Sequence, residues 1–326
     1  MKEDLLPLLR CPRCQPGTLR MNITEVQNNE IREGLLVCDQ CRSEFPIHDG
    51  IPEFLHRLTT AMREEIESST DYTRDICFRK PEVYNDEFLL TLPYTLPISN
   101  VEDKLAVNVA GSERKAPYFF QILNSCGEGN GKRLLELGAG TTWATWHFAK
   151  KGYTSIALDI VKVLYRGLMS RDVYFQHKNI YYEAVLSPME SLPLQDNSID
   201  LVFSINSLHH SCDLNVILSE VYRVLRNGGV FYLMEDGFAL PFLFFEKVKA
   251  WRKRKMEHHQ DHVYMFRDYK NAITKTSLTM ELVLPDRFIN RIGFLRNLPR
   301  WILVVLYKII LYTRGCGFIL KIKKAS

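Results

Sequence analysis

The sequence predicts a doubly wound α/β domain preceded by a small, metal-stapled module. Three observations lead there. From about residue 116 onward, strand-like apolar runs alternate with helix-length segments. One of those runs, Arg133-Leu-Leu-Glu-Leu137, ends in the bend Gly138-Ala139-Gly140 and is followed by a helical stretch. Near the N-terminus, Cys11-Pro-Arg-Cys14 and Cys38-Asp-Gln-Cys41 form two CxxC pairs.

Composition sets the frame for these elements. Hydrophobic residues are 46% and charged residues 25% of the 326, which argues against both disorder and a polytopic membrane protein. The net charge of +4 hides an asymmetry, because residues 287–326 hold nine Lys and Arg and no acid, leaving 4 − 9 = −5 for the rest. A basic C-terminal part points to an anionic surface or substrate, or else to a solvated face. The start, MKEDLLPLLR, carries two acids and no sustained apolar run, so a cytoplasmic protein is expected.

The first module spans residues 1–56. Each CxxC turn can aim two thiolates at one centre, and the 23 residues between the pairs read as a hairpin that brings them together. Four protein sulfurs close a tetrahedron around Zn²⁺ and leave no position for water or substrate, so a structural zinc is expected on Cys11, Cys14, Cys38 and Cys41. A module this small buries little core and gains much of its stability from the metal. The stretch from Leu36 to Phe54 resembles the zinc-ribbon activator subunit of RNA and protein methyltransferases. That resemblance implies a ribbon that supports a methyltransferase, here in the same chain.

Residues 57–115 lack a clean period and read as a linker or cap, with a charged helical start at Met62–Ser68 and a Pro-broken stretch at 92–98. Residues 116–326 form the large domain. After the strand at 133–137, Thr154–Asp159 reads as a second strand ending in an acid, Ile180–Leu186 as a third and Ser198–Ile205 as a fourth. Val230–Glu235 follows a helix as the fifth, with Leu278–Leu284 and Gly317–Lys323 as the sixth and seventh. Glycines at the bend let a ligand approach the backbone, and the helix behind offers unpaired N–H groups. Trp143 stands where the dinucleotide fingerprint needs its third glycine, which speaks against NAD.

This ordered set resembles class I S-adenosylmethionine (SAM)-dependent methyltransferases of the small-molecule, lipid and glycan type, over residues 116–236. The resemblance implies a Rossmann-like seven-stranded sheet and SAM as cofactor. Glu136, Gly138, Ala139 and Gly140 would hold its amino-acid end, Asp159 its ribose, and Met189 or Glu190 its adenine, with Asn206 near the sulfonium. Pro188 stands where relatives usually carry the acid that contacts adenine. For a hydroxyl acceptor, His209 or His210, at the end of the fourth strand, is the candidate general base, with Glu235 and Asp236 behind them.

Beyond the fifth strand, Leu240–Lys255 is apolar first and basic later, and His262–Lys275 reads as a helix. Trp301–Tyr312 is too short to span a bilayer, which needs about 20 apolar residues. With Arg300, Lys308 and Arg314 it reads either as a helix in a membrane interface or as one packed on the domain with snorkelling cations. The expected activity is methyl transfer to a small or lipid-linked acceptor. The segment Asp261–Arg267 and the layout resemble methyltransferases of glycan synthesis, which implies a sugar of surface-polysaccharide assembly. The alternatives are RNA methylation, favoured by the ribbon's relatives and the basic tail, and a non-enzymatic scaffold with a degenerate SAM site.

Overall fold

Two tight turns shape the N-terminal sheet. Strands β1 (Leu19–Gln27) and β2 (Glu30–Cys38) are joined by Asn28 and Asn29, both at positive φ. Strands β3 (Glu44–His48) and β4 (Ile51–Pro52) are joined by Asp49 and Gly50, also at positive φ. Left-handed pairs of Asn, Asp and Gly match the twist of the flanking strands, so these turns set an antiparallel sheet in the order β1-β2-β3-β4. The computed structural model describes all residues except 16, 73–83, 95–103, 212, 237–263, 292–297, 314–316 and 326.

Helices α1 (Thr60–Tyr72), α2 (Asp86–Thr91) and α3 (Lys104–Cys126) follow. The boundary expected at 115/116 therefore falls inside α3. Its first half lacks the apolar periodicity that reveals a helix in sequence, whereas its second half buries Phe119, Ile122 and Leu123.

The large sheet comprises β5 (Arg133–Leu137), β6 (Thr154–Asp159), β7 (Glu183–Leu186), β8 (Ile199–Ile205), β9 (Leu225–Asp236), β10 (Leu278–Val283) and β11 (Gly317–Lys324). Its order is β10-β11-β9-β8-β5-β6-β7, parallel from β7 to β9, with β11 antiparallel to β9 and β10. This is the seven-stranded Rossmann-like sheet that the sequence predicts. The third strand begins at Glu183 rather than Ile180, and the fifth begins five residues early, at Leu225.

Side chains alternate across the strands, so the sheet separates two cores. One face, through Phe203 and Ala157, packs α3, α4 (Trp143–Lys150) and α5 (Ser170–Lys178) around Phe119, Trp143, Phe148 and Tyr174. The other, through Leu135, Ile156 and Val202, packs α6 (Leu214–Val224), α7 (Phe266–Thr274) and α9 (Arg300–Thr313), with α8 (Asp286–Arg291) beside them. Leu5, Leu36, Ile47 and Phe54 of the ribbon belong to this second core.

Polar contacts lock the ribbon at the β7 edge. Phe54 N–H donates to Leu186 O at 2.7 Å, and Gln195 N–H donates to Leu8 O at 2.8 Å. Arg171, 1% exposed, pairs with Glu30 at 2.6 Å, and Arg32 pairs with Asp172 at 3.2 Å. The ribbon thereby covers an edge whose unpaired backbone groups would otherwise invite strand addition.

Helix α9 buries Leu303, Tyr307 and Leu311 at a spacing of four and turns Trp301, Val305 and Ile309 outward, at 68%, 48% and 52% exposure. No helix among the described residues is long and apolar enough to cross a membrane. The segment Leu240–Lys255 lies outside the described residues, as does the start of the His262–Lys275 stretch.

Candidate functional site

The four cysteine sulfurs lie within 4.8 Å of one another, with Cys11 to Cys41 at 3.6 Å and Cys14 to Cys38 at 3.5 Å. A tetrahedron with Zn–S bonds of about 2.3 Å has edges of about 3.8 Å, so this spacing fits a tetrathiolate zinc. Gly17 completes the cradle: a Cβ there would lie 2.5 Å from the Cys38 sulfur and 2.7 Å from that of Cys14. Among the described residues no other group of metal-ligating side chains is as close-set.

The second constellation sits where the strand order reverses, at the carboxyl ends of β5, β6 and β8. Open α/β sheets bind ligands at this switch point. Strand β5 ends in a bend with Gly138 at φ +65° and Gly140 at φ +48°, and Thr142, also at positive φ, starts α4. Gly138 is demanded by packing, because a Cβ would lie 2.3 Å from the Ser207 Cβ. Ser207 in turn donates its hydroxyl proton to Leu137 O at 2.8 Å, tying the end of β8 to the bend.

Asp159, the last residue of β6, accepts backbone N–H bonds from Gly140 at 2.7 Å and Val161 at 2.8 Å. Burial pushes its carboxyl up to about 6 against those bonds. Glu136 is 1% exposed and accepts a short hydrogen bond from the Thr145 hydroxyl of α4. Burial, with no cationic partner among the described residues, raises its pKa to about 8.

A cavity of about 200 Å³ opens at this point, and Gly138, Gly140, Asp159, Met189, Glu190, Asn206 and His210 line it. Three other candidates stand off the wall. Glu136 lies beneath the bend, Ala139 is buried with its N–H donated to Leu158 O, and His209 faces a carboxylate. His209 Nδ1 is 2.9 Å from Glu235 Oε2, and Glu235 Oε1 accepts the N–H groups of Ser207 and Leu208. Glu235 thus fixes the turn that presents His210, whose ring lies 4.3 Å from that of His209. The Asp236 side chain is outside the described residues. Glu190 is pushed above the usual carboxylate range by burial, against a hydrogen bond with Ser211.

Sequence reasoning missed part of the wall. Met62, Glu65 and Ser69 of α1 close one side, and Arg166 and Ser187 another. Their spacing of three and four does mark one face of a helix, but that face carries a mixed Met-Glu-Ser pattern that no periodicity distinguishes. The structure also brings Glu65 within 3.8 Å of His210.

Known proteins resemble both parts of the chain. Residues 135–233 match the family model described as methyltransferase domain, and residues 2–50 match the Trm112p-like protein model. The chain thus carries a class I methyltransferase domain behind a zinc ribbon of the Trm112p-like family. Malonyl-acyl-carrier-protein O-methyltransferase of Yersinia pestis is 30% identical over 169 residues, covering 51% of this chain and 58% of that protein. The same-named protein of Hamiltonella defensa is 27% identical over 165 residues, covering 51% of this chain and 60% of that protein. The chain therefore spans about three fifths of the length of these relatives. Among solved structures, the YcgJ protein of Bacillus subtilis aligns with a TM-score of 0.48 at 16% identity, over 64% of this chain and 98% of that one.

Proposed function

We propose that this chain transfers a methyl group from SAM to a small or lipid-linked acceptor, with the ribbon as a built-in support. The observation that carries the reading is the cavity at the switch point, where two positive-φ glycines and the Asp159 carboxylate meet on one wall. The residues suit the donor. Beyond Gly140 a Cβ would find only Arg166 O, at 3.8 Å, so the bend leaves room for a ligand against its backbone. Asp159 keeps acceptor capacity beyond its backbone amides for ribose hydroxyls, and Glu136 supplies a buried carboxyl beneath the bend that a cationic donor would favour in its ionised form.

When bound, SAM supplies an electrophilic methyl on a sulfonium, which an acceptor oxygen or nitrogen attacks in line. The chain's own work is positioning. Met189 and Glu190 cover one side of the cavity and Asn206 closes the end of β8. His210, on the wall, is the group placed to take a proton from an acceptor hydroxyl, and Glu235 holds the turn through His209 and two backbone amides.

Calorimetry with SAM on the zinc-loaded chain tests the reading, and absence of binding overturns it in favour of a scaffold. Tritiated methyl transfer into a lysate fractionated as lipid, glycan, RNA and protein then assigns the acceptor. A sugar of surface-polysaccharide assembly is the acceptor we favour; label in the RNA fraction alone would replace it with nucleic acid.

The outward stripe of Trp301, Val305 and Ile309, flanked by exposed Arg300 and Lys308, supports attachment to an anionic membrane surface. Sedimentation with anionic liposomes at low salt should carry the protein down, and Trp301→Glu should abolish this. Failure of the unaltered chain to sediment removes the membrane from the proposal.

A further inference from the structure

A second, larger cleft of about 710 Å³ lies between the first zinc knuckle, α1 and α6. It shares Met62 and Glu190 with the cofactor cavity, so the two hollows meet on either side of these residues. Its remaining wall includes Arg13 of the ribbon and Arg57 of the segment leading into α1.

The charge of this cleft is lopsided. Both arginines are exposed and neither forms an ion pair with the described residues; Arg13 reaches only the Ser43 hydroxyl, at 3.4 Å. The two acids in the wall are otherwise engaged. Glu220 takes Arg223 on both oxygens, each at 2.7 Å, and Glu190 hydrogen-bonds Ser211. Burial lowers the pKa of His56, beside Ser191 in the same wall, against a hydrogen bond to Phe54 O, and the charges of Arg13 and Arg57 lower it further. A hollow with two open guanidinium forks and spent carboxylates is built for an anion, since such forks match phosphate oxygens.

We infer that this cleft is the acceptor subsite and that Arg13 and Arg57 hold a phosphate group of the acceptor while its reacting end passes Met62 and Glu190 into the cofactor cavity. The inference rests on the methyltransferase reading for the identity of the neighbouring cavity, but not for anion binding itself. It makes the ribbon part of the substrate site as well as a brace. Thiolates around a bound zinc draw on the field of Arg13, so Arg57 is the sharper position to change.

The test uses the full zinc-loaded chain and two probes, glycerol 3-phosphate in solution and vesicles containing phosphatidic acid. Titration should give saturable binding that weakens at least tenfold in Arg57→Glu and in the Arg13→Gln/Arg57→Gln double variant. Arg57→Lys should retain part of it, and Lys132→Glu, in a different basic cleft, should leave it unchanged. Zinc content and thermal melting of each variant, equal to those of the unaltered chain, show that folding is intact. Binding of the soluble probe alone assigns a soluble phosphorylated acceptor, and competition by the vesicles assigns a lipid-linked one; both support the subsite. Binding of neither probe, or equal binding by Arg57→Glu, overturns it. Calorimetry with SAM on the same samples keeps the two ideas apart, because SAM affinity should not change in these variants. Loss of SAM binding by the unaltered chain sinks the methyltransferase reading while the phosphate titration still decides the cleft.

Discussion

The ribbon and the cofactor cavity solve opposite problems with residues of opposite locality. The ribbon draws its metal ligands from two turns within 31 residues, and each turn is complete in itself. The cavity draws on the ends of three strands, the turn after β8 and a helix from another part of the chain. Local constellations survive rearrangement of the fold around them, whereas dispersed ones exist only when the whole sheet is in register. Removing the metal should therefore destroy the ribbon outright, and changes in the sheet should act on the cavity by degrees.

The largest effect follows from that contrast. Structural zinc contributes on the order of 10–16 kcal/mol of apparent binding energy in small modules at neutral pH. Chelation, or Cys14→Ser, should release stoichiometric zinc and unfold β1 to β4. The β7 edge, no longer capped at Leu186, should then drive aggregation visible by light scattering. Retention of a non-aggregating, cooperatively melting chain after zinc release would show that the shared core, with Leu36 and Phe54, suffices to hold the ribbon.

Next in size is the seam between the two regions. Arg171 is buried against Glu30 across that seam, with Asp172 at 3.1 Å, and its pKa is raised by those acids against the pull of burial. Truncation leaves Glu30 buried with less compensation, which typically costs about 3–5 kcal/mol. Arg171→Ala should lower the urea midpoint accordingly, while a change below about 1 kcal/mol would mean that the ribbon docks through apolar contact alone.

How much of each region was legible in the sequence follows the same divide. Cys11, Cys14, Cys38 and Cys41 could be read because CxxC spacing is itself the geometry. Gly138, Gly140 and Asp159 could be read because a strand, a bend and a second strand end are encoded within 27 residues. Met62, Glu65 and Arg166 could not, since nothing in their own neighbourhoods says which surface they meet. The first half of α3 and the early start of β9 were hidden for a related reason: Asn227-Gly-Gly229 reads as a break, and the ladder with β8 does skip residues 226–229, but Leu225 ahead of it already pairs with Ile199. His209 and His210 were legible only as a pair, and it takes the buried Glu235 to separate their roles.

The bend itself offers a smaller and more local perturbation. Gly138→Val forces a β-branched residue into left-handed backbone, at about 1–3 kcal/mol of strain, and drives its Cβ into Ser207. The expected outcome is a loss of SAM affinity of about ten- to a hundredfold with zinc content unchanged. Equal affinity would mean that the bend does not touch the donor.

The smallest effect is in pH, and it pits the fold against the site. Glu136 rises from 4.5 to about 8 on folding and Asp159 from 3.8 to about 6, both chiefly through burial. The folded chain therefore holds more protons than the unfolded one. Their stabilising contribution is present below about pH 4 and is lost as pH rises through about 6 for Asp159 and about 8 for Glu136. Donor binding has the reverse sign, because ribose hydroxyls and a cationic amino-acid end both favour ionised carboxylates. Between pH 6 and 8 the melting temperature of the free chain should fall while the upward shift produced by saturating SAM grows. Calorimetry at pH 7 should show protons released on binding, read from the dependence of the heat on the buffer's ionisation enthalpy. Glu136→Gln should remove most of that release, and Asp159→Asn should flatten the loss of affinity below pH 6. A shift independent of pH in the unaltered chain would detach both carboxylates from the donor.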